Sequence, residues 1–311
     1  MRPFLKSTLT TFFLIALLLS SCQVKPESPS GNPGNLRVLA IESFLADIAQ
    51  NVAGERLGIE TLLPTGLDPH AYEATPKDLV KIAESQVLII NGAGFEEWLQ
   101  PTLDSTGGER QIIEAAAGLE SRRLTAAEAG EHGHGAGDPH FWLDPNNVVQ
   151  YVENLRDGLS QADPAGSQVY AANAEAYIAR LKELDAWIVE QVAQIPPERR
   201  ILVTNHESFG YFADRYGFQI AGSILPSFST GASPSAQELA QLVEHIRELH
   251  AQAIFLETGA NPQLAQQIAE ETGIQVITEL YSHSLTGPDG DAPNYIEMMK
   301  FNVGTIVAAL K

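Results

Sequence analysis

Asp-Pro-His occurs twice in this chain, as Asp68-Pro69-His70 and as Asp138-Pro139-His140. Proline fixes its own backbone angle and pushes the residue before it out of the helical region, so each histidine follows a stiff, extended corner. Two more histidines, His206 in ILVTNHESFGYF and His283 in VITELYSHSLTGPDG, each lie just beyond a short apolar run that reads as a buried strand. Four imidazoles at strand ends suggest convergence on one transition-metal ion, because neutral imidazole is a common ligand for zinc and its neighbours. Sulfur is not expected to take part. The single cysteine, Cys22, lies far upstream of all four histidines.

The elements that must position these residues alternate in type. LRVLAI, LGIETLL, VLIING and QIIEAA read as strands in the first half, and RILVTN, FQIAGSI, AIFLET and IQVITEL in the second. Helices fall between them, over 43–52, 76–83, 95–103 and 145–159, then over 209–216, 235–250, 262–272 and 292–310. Such alternation predicts an α/β fold of two lobes, each a small, mainly parallel four-stranded sheet with flanking helices. Between the halves, Tyr177, Leu181, Leu184, Ile188, Val192 and Ile195 form one apolar helical face. With Asp163 as N-cap and Pro196-Pro197 as a stop, this predicts one rigid linking helix of about thirty residues, roughly 45 Å long. Ligands of open parallel sheets bind beyond the carboxyl ends of the strands, which places His70, His140, His206 and His283 in the cleft between lobes. The expected division is a leader over 1–21, a tether over 22–35, a first lobe over 36–162, the linking helix over 163–196 and a second lobe over 197–311.

Composition narrows the function classes. The 311 residues carry 19 basic against 39 acidic side chains, a net charge of −20, which repels nucleic acid and anionic lipid and concentrates cations. Arg2 and Lys6 precede an apolar stretch too short to span a bilayer, and it ends in Leu19-Ser20-Ser21-Cys22. That boundary resembles the lipobox of bacterial lipoproteins, which implies removal of residues 1–21, a lipid anchor on Cys22 and a place outside the cytoplasmic membrane, facing the periplasm or the cell exterior. The Pro-, Gly- and Ser-rich run QVKPESPSGNPGN then reads as a flexible tether.

Taken together, GLDPHAYEATPKDL, DPHFWLDPNN, NHESFGYFADRYG and LYSHSLTGPDGDAPNYIEMM, in that order, resemble the metal-binding substrate-binding lipoproteins of zinc and manganese ABC transporters, the cluster A-I or cluster 9 group. The resemblance covers Cys22 to Lys311. It implies two lobes joined by a long helix, an ion held between them by a monomer, and delivery to a membrane permease. His70 and His140 match the family's first two ligands, and His206 matches a third that is His in many zinc-type members and Glu in many manganese-type ones. Most of the family has Asp at the fourth position. Here Tyr281-Ser282-His283-Ser284 stands there instead, leaving His283, water, Asp289 or Asp291 to complete the shell.

A nitrogen-rich set favours Zn2+ over Mn2+, which prefers carboxylate, carbonyl and water oxygens; copper and nickel would also bind imidazoles. Four neutral ligands leave the ion's charge uncompensated, so a nearby carboxylate is expected, with Asp68, Asp138, Asp144 and Glu257 as candidates. Turn formation or helix capping accounts equally well for the three aspartates, and Glu257 could cap the helix after Pro262. His132 and His134 in a Gly-rich loop form a possible accessory metal site, whereas His245 and His250 read as solvated surface residues. Three histidines and an open position would also suit a zinc-dependent hydrolase, but there is no HExxH helix and no nucleophile in a recognisable turn. A surface adhesin would use the lipid anchor and leave the four histidines without a role.

Overall fold

The computed structural model describes residues 36–122, 137–228, 230–231 and 233–311. The leader, the tether, Cys22, His132 and His134 lie outside the described residues. The first sheet contains β1 (Val38–Ala40), β2 (Ile59–Thr61), β3 (Val87–Ile90) and β4 (Gln111–Glu114), in the order β2-β1-β3-β4 and parallel throughout. Around it run α1 (Ser43–Ala53), α2 (Pro76–Glu84), α3 (Leu99–Thr106) and α4 (Pro145–Ala162). The second sheet repeats this winding as β6-β5-β7-β8, with β5 (Ile201–His206), β6 (Gln219–Leu225), β7 (Ala253–Glu257) and β8 (Gln275–Leu280), again all parallel. Between the sheets in sequence lies α5 (Ser167–Val192). Helices α6 (Gly210–Tyr216), α7 (Ala236–Leu249), α8 (Gln263–Thr272) and α9 (Tyr295–Leu310) accompany the second sheet.

The central strands β1, β3, β5 and β7 are buried on both faces because both faces are covered. Val38 and Ala40 enter a core shared with α1, α4, α5 and α9, while Leu39 and Ile41 enter a second core with Ile82 and Leu99. In the other lobe Leu202 and Phe255 join the same shared core, and Ile201, Val203, Ile254 and Leu256 pack outward under α7 and α8. Helix α5 lies along the shared core. It buries Tyr170, Ala174, Tyr177, Leu181, Leu184, Ile188 and Val192, the face expected from their spacing.

Two expectations about helices shift. The long helix has 26 residues, about 39 Å, because Asp163 does not cap it. Residues Pro164–Gly166 form a separate 3-10 turn, and the Asp163 carboxylate instead binds the Arg56 guanidinium and the Tyr170 hydroxyl. The helix expected from residue 95 begins only at Leu99. Gly92, Ala93 and Gly94 all take positive φ, and the Glu96 carboxylate folds back to accept from the Asn91 and Gly92 N–H groups. A side chain at Gly92 would collide with Glu114 even if it tolerated the backbone angle.

Candidate metal centre

Both Asp-Pro-His corners are Asx-turns. Asp68 Oδ1 accepts from the His70 N–H at 2.9 Å, and Asp138 Oδ1 accepts from the His140 N–H at 3.0 Å. A first-lobe side chain holds each proline carbonyl: Trp98 Nε1 donates to Pro69 O, and Asn91 Nδ2 to Pro139 O. His206 is the last residue of β5 rather than one beyond it, and His283 follows β8. Strands β5 and β7 are neighbours from which the chain departs in opposite directions, so their carboxyl ends flank the crevice where parallel sheets bind ligands.

The four histidines converge. Among the described residues they form one group, with a ring nitrogen of each lying within 4.8 Å of the others'. His140 Nε2 is 3.2 Å from His70 Nε2 and 3.3 Å from His206 Nε2. His140 and His206 are fully buried, and the His283 side chain is 9% exposed. Phe95 packs edge-on against His70 at 4.7 Å and also touches His140 and His283, while Trp142 lies 5.3 Å from His140. This aromatic wall excludes water from one side of the group.

Carboxylates stand behind the rings. Asp138 Oδ1 is 2.9 Å from His140 Nδ1, so one oxygen serves both the turn and the imidazole. Glu257, at the end of β7, places Oε1 2.6 Å from His206 Nδ1 and Oε2 3.2 Å from His283 Nδ1. Among the four candidates, Asp138 and Glu257 thus reach imidazoles. Asp68 spends its other oxygen on the Thr230 hydroxyl, and Asp144 is the N-cap of α4. Glu257 does not cap α8, whose N-cap is Pro262. Asp289 and Asp291 are exposed and outside the group. His245 and His250 are exposed on and after α7, as expected.

Burial dominates the electrostatics. It lowers the pKa of His70 to about 3, with His206 adding to the effect, and it lowers His283 to about 3 against the upward pull of Glu257. His140 is also held well below the ordinary range, first by burial and then by the other histidines. Burial pushes Glu257 upward, but His206, His283 and its hydrogen bonds outweigh this and bring it to about 2. His70, His140 and His283 are therefore neutral imidazoles, with the ionised Glu257 carboxylate behind His283.

Sequence reasoning missed the equivalent place in the first lobe. Glu42, just after β1, is 1% exposed, and burial and Glu96 raise its pKa well above the usual range. Burial likewise raises Glu96, to about 7. An acid directly after an apolar strand was the available signal.

The loop residues flanking His283 are tied across the cleft. Trp142 Nε1 donates to Ser282 O at 2.7 Å, Gly66 N to Ser284 Oγ at 2.8 Å, and Leu285 N to Ser43 Oγ at 2.9 Å. Beside this loop lies a hollow of about 610 Å³ bordered by Asp68, Asn205, Glu257 and His283.

Residues 38–309 match the family described as zinc-uptake complex component A, periplasmic (ZnuA). The chain is 34% identical over 297 residues to the manganese-binding lipoprotein MntA of Halalkalibacterium halodurans, covering 96% of each. It is 31% identical to the iron-binding protein YfeA of Yersinia pestis, covering 98% of this chain and 96% of that one. The periplasmic zinc binding protein TroA of Treponema pallidum superposes with a TM-score of 0.81 at 26% identity, over 89% of this chain and 99% of TroA.

Proposed function

The chain belongs to the zinc-uptake complex component A family of metal ABC transporter substrate-binding proteins, and on that premise we propose that its cargo is zinc, held by His70, His140, His206 and His283. The family is one of solute-binding proteins, so the hydrolase reading is set aside. The observation that carries the choice of ion is the donor set, four imidazoles with no carboxylate oxygen among them. Zinc accepts four-coordinate nitrogen shells at about 2.0–2.1 Å. A regular tetrahedron of that size has edges of about 3.3–3.4 Å, close to the 3.2 and 3.3 Å separations around His140. Manganese favours oxygen donors. It is nonetheless the second reading, favoured by the name of MntA.

Competition calorimetry is expected to give one zinc per chain, with zinc strongly displacing manganese. His140→Ala or His206→Ala should lose more affinity than deletion of the loop bearing His132 and His134. A manganese preference, or full zinc affinity in His140→Ala, overturns the assignment.

The working form in this reading is an exported monomer anchored by a lipid on Cys22, which hands the ion to its permease in the periplasm or at the cell surface. The LSSC boundary after a short apolar core supports this, as do relatives named lipoproteins. Among the described residues no helix is long and apolar enough to cross a membrane. Detergent-phase partitioning should be lost in Cys22→Ser; partitioning unchanged by the substitution rules out the anchor.

A further inference from the structure

We infer that Glu257 is a positioning residue that locks His206 and His283 together as a pair of Nε2 ligands and supplies, without touching the ion, the negative charge that an acid at position 283 would have brought. This rests on the zinc-site reading above. A carboxylate ion only accepts hydrogen bonds, so every group facing it must present a hydrogen. Glu257 meets four such groups. Oε1 faces His206 Nδ1 at 2.6 Å and accepts from Ser208 Oγ at 3.2 Å. Oε2 faces His283 Nδ1 at 3.2 Å and accepts from Ser282 Oγ, which itself lies 2.8 Å from His283 Nδ1. Hydrogen on Nδ1 with the lone pair on Nε2 is the tautomer that suits both rings beside this carboxylate, although the short His206 Nδ1 contact is off the hydrogen-bond angle, and His283 Nε2 is buried with no protein partner. One side chain, 6% exposed at the end of a central strand, thus fixes two ligands that arrive from different strands.

Glutamine at 257 has nearly the same shape but only one accepting end. Its NH2 end must face one of the two Nδ1 atoms and force that ring into the Nε2–H tautomer, which cannot bind an ion. Glu257→Gln is therefore expected to lower zinc affinity about 10- to 100-fold, the usual cost of losing a ligand's outer partner. The visible spectrum of the Co2+-loaded protein should shift as one nitrogen donor is lost, with the metal-free variant, less stable for want of the buried carboxylate, still folded by circular dichroism at the assay temperature. Glu270→Gln, an exposed charge-matched control on α8, should change neither. Ser282→Ala removes one support of the carboxylate and keeps its charge; a loss of about 2- to 10-fold is expected, the worth of one hydrogen bond.

If Glu257→Gln and Ser282→Ala both bind zinc as wild type does, with an unchanged Co2+ spectrum, while His140→Ala does not bind, the inference falls and the zinc-site reading stands. Full binding by His140→Ala overturns both.

Discussion

At the scale of single residues, the imidazoles are defined by what surrounds them. An exposed histidine titrates near 6.5, but these four are buried or half-buried. Burial, reinforced by neighbouring histidines, keeps the ring nitrogens of His70, His140 and His283 free of protons far into the acid range, with His70 and His283 at about 3. Protons compete with zinc only below the pKa of the metal-free rings. Protonation of these three rings is therefore expected to weaken zinc binding only toward pH 4 and below, in a titration with a competing chelator whose own protonation is accounted for. Folding stability of the metal-free protein follows a different course. These rings have folded pKa values below their unfolded ones, so the unfolded chain takes up protons first, and stability declines as pH falls from about 6.5 toward 3. A loss of zinc affinity steeper than tenfold between pH 7 and 6, which needs more than one ring to take up a proton, would show that the buried environment does not govern the site.

At the scale of elements, the site depends on how α5 and the strands share one core. Leu181 is 1% exposed in the middle of α5, and its removal leaves a void between lobes. Leu181→Ala is expected to cost about 2–5 kcal/mol in chemical denaturation while leaving zinc stoichiometry at one; a loss below about 1 kcal/mol would mean that α5 is not the spine of the fold. Much of this was legible in the sequence. The Asp-Pro-His corners, the strand runs and the apolar face of α5 are written in neighbouring residues, where proline geometry and periodicity act locally. The late start of α3 is a local departure, made by Glu96 folding back on Asn91 and Gly92, and the others come from distance. Asp163 deserts its helix for Arg56, 107 positions away. Glu257 could be read as a carboxylate beside the site or as a helix cap, because its partners, His206 and His283, arrive from other strands. Trp142 sits beside the second corner, yet its bond to Ser282 spans 140 positions.

At the scale of the whole molecule, the two lobes share a hydrophobic core and are bonded along their meeting line. Tyr295 Oη donates to Trp142 O, Tyr211 Oη donates to Asp138 O, and Arg215 pairs with Asp185 of α5. A hinge would have to tear this core, so X-ray scattering with and without zinc is expected to give the same radius of gyration within error. A contraction of several ångströms on binding would disprove it. The loop carrying His283 is different in kind. Three hydrogen bonds hold it to the first lobe, each worth about 0.5–1.5 kcal/mol net, and open space lies at its side. His140 and His206 have no such freedom. On the proposed zinc reading, the residence time of the ion is expected to be set at this loop, and a membrane partner that plucked those three bonds would shorten it without moving either lobe.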